Sequence, residues 1–162
     1  MRLLARFAKA ATWLAVFALA SSTGGAQDTV DVTLPATVGF TITDVTANTV
    51  SDDNPTPVSF ANGTYGNSLG LAISVKADGD FVPPSGPAIP ADYVSWTTAS
   101  ASNGVGHDGT LNTSSYTLLF QGDAGAVSGS VDVNWTLQAP GTPLRAGIHT
   151  LTLRWKFEAV TP

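Results

Sequence analysis

From Gln27 onward, apolar and polar residues alternate with a period of two, and no stretch of ten or more residues keeps a 3.6-residue apolar stripe. Successive side chains of a strand point to opposite faces, so this pattern predicts half-buried β-strands rather than helices. Val30, Val32 and Leu34 share one phase before Pro35, and Val38, Phe40, Ile42 and Asp44 continue it as a second strand. Val58–Ala61 reads as a short strand between the Asn54, Pro55, Pro57 turn and Asn62-Gly63. Leu69, Leu71, Ile73 and Val75 line one face of the next, with Gly70, Ala72, Ser74 and Lys76 on the solvated side. Asp78–Pro90 is a stiff loop, since its prolines cannot continue a central ladder. Tyr93–Thr98 is a strand carrying Trp96, Ala99–Thr110 a polar glycine-rich loop, and Tyr116–Gln121 a further strand. Two long strands close the chain. Val131, Val133, Trp135 and Leu137 share a face of the first, and His149, Leu151, Leu153, Trp155 and Phe157 a face of the second. About eight short strands, glycine and proline turns and no crossover helices predict an immunoglobulin-like antiparallel β-sandwich, with a small barrel as the alternative.

The first 26 residues follow another logic. Arg2, Arg6 and Lys9 precede an apolar run from Ala10 to Ala20, and small residues follow up to Ala26. That order is the signature of a secretory signal peptide, with cleavage expected between Ala26 and Gln27. The run is about half of the ~20 residues that span a bilayer, so it is not read as a membrane anchor. Residues 27–162 are then expected as one secreted domain, outside the cell, on its surface or in a periplasm. The size suits one hydrophobic core.

Composition narrows the chemistry. The chain has no cysteine, which excludes thiol nucleophiles, disulfides and thiolate metal ligands. Loss of Arg2, Arg6 and Lys9 leaves four basic residues (Lys76, Arg145, Arg154 and Lys156) against twelve acidic ones, a net charge of −8. Such a surface repels phosphate backbones and the four cations form no long stripe, so nucleic acid is not an expected partner.

Candidate sites are few. His107 and Asp108 lie in Gly104–Gly109, and Ser100, Ser102, Ser114 and Ser115 would supply a hydroxyl, yet no G-x-S-x-G elbow surrounds any of these serines. His149 is expected on the core side of the last strand, and the two histidines share no metal-ligand motif. Asp52-Asp53-Asn54 and Asp78-Gly79-Asp80 carry oxygen ligands of the kind calcium takes, but neither follows the EF-hand pattern and Asp is also a turn former. No catalytic, cofactor or metal residue is therefore assigned. Among Tyr93, Trp96, Tyr116, Trp135 and Trp155, the phase of Trp135 and Trp155 is that of the core, whereas Trp96 or Tyr93 is expected to face outward and offer a sugar-stacking surface.

The segment Leu144 to Trp155 (LRAGIHTLTLRW) resembles the closing strand of bacterial secreted surface sandwich domains of the spore-coat-U-like and pilus-subunit-like type. The resemblance implies an immunoglobulin-like sandwich that assembles into coats or fibres, in some cases by one subunit lending a strand to the next. Those domains commonly carry a disulfide, which this chain lacks. Gln27–Pro35 would be the donor of such a strand, unless it is the first strand of its own sheet. The expected function is thus a non-catalytic secreted or surface component, its partner a second copy or a cell-envelope protein or polysaccharide. A carbohydrate-binding module and a small secreted hydrolase are the alternatives.

Overall fold

The computed structural model describes residues 28–144 and 146–162, and the backbone of residues 13–19. The expected cleavage point between Ala26 and Gln27, and Arg145 of the closing motif, lie outside the described residues.

Two antiparallel sheets pack face to face. One holds β1 (Trp13–Leu19), β2 (Asp28–Leu34), β4 (Thr56–Ala61), β10 (Gly129–Leu137), β6 (Val94–Ser102) and β8 (Gly109–Thr110) in that order, with β3 (Thr49–Val50) also paired to β10. The other runs β11 (Leu153–Val160), β5 (Gly70–Ala77), β9 (Thr117–Gly122) and β7 (Gly104–Gly106). Among the described residues the only helical element is a 3-10 turn at Ala91–Tyr93. No described helix is long and apolar enough to cross a membrane.

The core is the sum of the inward phases. In β10 every second residue from Gly129 to Leu137 is buried and every residue between is half-exposed, which is the period-two reading realised without error. Val30, Val32 and Val58 from the first sheet meet Leu71, Ile73 and Val75 from the second, all within 1 % of full burial. Each such side chain stabilises the fold by roughly 1.5–3 kcal/mol relative to exposure. Phe60 and Phe120 join the sheets with ring centroids 5.9 Å apart.

Several elements depart from the expectation. Val38, Phe40 and Ile42 are not in a strand, although all three are partly buried against the core. Their backbone is held by side chains and isolated bonds instead of a ladder: Thr41 N–H donates to the Asp52 carboxylate at 3.0 Å, and Asp52 N–H to the Gly39 carbonyl at 2.8 Å. β5 is buried on both faces, not one. Its small outward residues Ala72 and Ser74 lie between the longer Glu158 and Lys156 of β11 and Gln121 and Leu118 of β9, which shade them. Ala99–Thr110 is not a loop, because β6 runs to Ser102 and two short glycine-bearing strands follow. Gly109 lies so close to the Trp96 ring that a β-carbon there would collide with it. The last strand begins at Leu153, and before it only Thr150 is bridged, to Val82.

A candidate assembly flank and an apolar cavity

The two flanks of the sandwich are unlike. On one, the sheets end in β7 and β8, of three and two residues. Short edges of this kind offer few unpaired N–H and C=O groups and discourage edge pairing. On the other flank the long strands β2 and β11, of seven and eight residues, lie at or next to the margin. Among the described residues β11 pairs only with β5, and the outer side of β2 is covered only by β1, which also lies against β11. β1 pairs with β2 along its whole length, from Trp13 opposite Leu34 to Leu19 opposite Asp28. The apolar run expected to direct export is thus laid as a strand along this edge. Asp28–Leu34 pairs with β4 in its own sheet, as the non-donor reading has it.

Inward-facing side chains along this flank remain half-covered, including Leu34, Leu153, Trp155 and Phe157. At one end of the sandwich, between the chain leaving β2 and the chain entering β11, lies a cavity of about 460 Å³. Phe40, Ile42, Phe81, Leu144, Leu151 and Trp155 are among its apolar walls. Trp135 also lines it, and its buried indole Nε1–H has no hydrogen-bond acceptor among the described residues. Concave apolar walls with one or two polar groups suit apolar side chains or small apolar molecules.

Several of the sequence-derived candidates for chemistry are engaged in structure. The backbone carbonyl of His107 accepts from the Trp96 indole Nε1–H at 2.7 Å. The Asp108 carboxylate accepts from Thr98 N–H at 2.8 Å and from its hydroxyl at 3.2 Å. Ser100 donates to Asp132 at 2.6 Å, Ser102 and Ser130 share a bond of 2.9 Å, and Ser114 donates to Asn112 at 2.7 Å. None of these bonds brings a serine hydroxyl to His107.

The acidic turns divide between other tasks. Asp52 holds Thr41, and Asp80 accepts from Ala91 N–H at 2.9 Å. Asp78 receives Nε and Nη2 of Arg154 at 2.6 and 2.8 Å, and this bond holds its carboxyl below the usual carboxylate range. Among the described residues no three His, Asp or Glu side chains converge as metal ligands.

Trp96 does not face outward. It is 2 % exposed and its ring lies 5.4 Å from that of Trp135, so it belongs to the core. The register sets it directly opposite the inward-facing Trp135 of β10, and residues opposed across a strand pair share a face. Tyr93 lies in the 3-10 turn and is half-buried. The exposed ring is Tyr116, just before β9, with Lys76 Nζ 5.1 Å and Lys156 Nζ 5.9 Å from its centroid. Sequence reasoning passed over this group because its members are 40 residues apart in each direction and only the register of β11, β5 and β9 unites them.

Comparison with protein-family models, with curated proteins and with solved structures finds no match.

Proposed function

We propose that the chain is a non-catalytic component of a secreted or cell-surface assembly, and that its copies join through the flank bounded by β2 and β11. The contrast between the two flanks carries this reading. One is blunted by strands of two and three residues, while the other presents seven- and eight-residue strands beside half-covered aromatic side chains. When residues 1–26 are removed on export, nothing described covers the outer edge of β2. A neighbouring copy then supplies the missing strand by main-chain pairing, with its side chains entering the adjoining apolar space.

Charge favours β11 of the neighbour as that strand. β2 carries Asp31 on its outward phase, whereas β11 carries Arg154, Lys156 and Glu158 on its own, a net of one positive charge. Opposite charges across a strand pair stabilise it by about 0.2–1 kcal/mol, and like charges oppose it. The resemblance to spore-coat-U-like and pilus-type domains points the same way.

Because the chain lacks cysteine, disulfide trapping reads the contact directly. Exported chain carrying Thr33→Cys, mixed with chain carrying Cys at 154, 156 or 158, is expected to give a mixed disulfide at one of these positions under mild oxidation. Absence of crosslinking at all three contradicts the β2–β11 contact.

A further inference from the structure

We propose that the outer face of β11, β5 and β9 binds an acidic polysaccharide, a chain of sugar units bearing carboxylates. Beyond residue 27 the chain has only four basic residues, and three of them meet on this face. The antiparallel register sets Arg154 of β11 opposite Lys76 of β5, and Lys156 opposite Ser74. Alternation along β5 sends Leu71, Ile73 and Val75 into the core, so Lys76 and its cross-strand neighbours project outward. Tyr116, 38 % exposed, lies beside them, within cation–π distance of both ammonium groups. Ser74 and Ala72 keep the floor of the face low between these taller side chains.

The charges are arranged for a carboxylated ligand. Asp78 neutralises Arg154, and Glu158 lies 2.8 Å from Lys156. Among the described residues Lys76 forms no ion pair; its ammonium lies over the Tyr116 ring, with the Asp78 carboxylate near enough to feel its charge. A uronate unit offers both complements, a carboxylate for the ammonium and a C–H face for the aromatic ring. A neutral sugar offers only the second.

The test is titration calorimetry of the exported chain with polygalacturonate, with neutral dextran of similar length, and with phosphatidylserine vesicles. Polygalacturonate is expected to bind, and to weaken as salt is raised from 50 to 300 mM, roughly as released counterions require. Lys76→Gln and Tyr116→Ala are each expected to lower its affinity about tenfold, the loss of one charge-assisted or stacking contact. Both positions are at the surface, and circular dichroism establishes that the variants are folded. The proposal is overturned by no binding of polygalacturonate, by equal binding of dextran or of the vesicles, or by unchanged affinity in both variants.

Discussion

Trp96 and Trp135 stand opposite one another on β6 and β10, their ring centroids 5.4 Å apart and their planes inclined by 54°, yet only the Trp96 indole has a hydrogen-bond acceptor. The two largest side chains of the core therefore differ in what their N–H groups contribute. Trp96→Phe removes the donor that satisfies the His107 carbonyl, and is expected to cost about 1–3 kcal/mol beyond the loss of ring volume. Trp135→Phe removes an N–H that is already unsatisfied, so its net cost is smaller. Urea denaturation of the two variants is expected to place the midpoint of Trp96→Phe below that of Trp135→Phe, and the reverse order contradicts the assignment.

Gly109 tests the same corner from the other side. A methyl group there meets the Trp96 ring and, at 3.0 Å, the Thr117 side chain, and neither can move without disturbing a packed sheet. Gly109→Ala is expected to destabilise by about 1–3 kcal/mol, the usual cost of overpacking. Thermal unfolding measures it, and an unchanged midpoint would mean that β8 can shift away from β6.

Tyr65 gives the fold an alkaline limit. Its hydroxyl donates to the Ala126 carbonyl, and burial pushes its pKa up to about 12 from 10.0. A folded-state pKa above the unfolded value contributes stability that is complete below pH 10 and lost as pH rises through 12. Absorbance at 295 nm is expected to show one phenol titrating near pH 12 with unfolding, and Tyr65→Phe is expected to lack that step. Retention of the late step in the variant would assign it to another group.

The end cavity is expected to take up a small apolar fluorescent dye, with energy transfer from Trp155, which lines it. Asp52→Ala frees Thr41 and the segment that forms one wall, and should weaken dye binding several-fold while leaving the strands intact. Unchanged dye affinity in that variant would place the dye elsewhere.

How much of this was legible in the sequence depends on what produced each pattern. Val131 to Leu137 alternates because β10 lies between other strands with one face inward, so burial alone determines its period. Val38 to Ile42 alternates for another reason: an extended segment crosses the end of the core with no partner strand, and alternation does not report hydrogen bonding. The glycines at 104, 106 and 109 read as a loop because their reason is close approach to Phe120, Thr98 and Trp96, which are distant or differently phased in the chain. The opposite parity of Tyr93 and Trp96 does not say which of them faces the core, and the pairing of Trp96 with Trp135 decides it. The cluster at Tyr116 was invisible, since cross-strand adjacency is a property of register and not of spacing along one strand.

The proposed assembly rests most heavily on β1 covering an edge that loss of residues 1–26 would lay bare. Light scattering on the chain from Met1 and on the chain from Gln27, both over a wide range of concentration, tests it most directly. The shorter chain is expected to form dimers or larger species by edge pairing, while the longer one, with β2 covered, stays monomeric. Monomers from both at every concentration, or the same assembly from both, would contradict it.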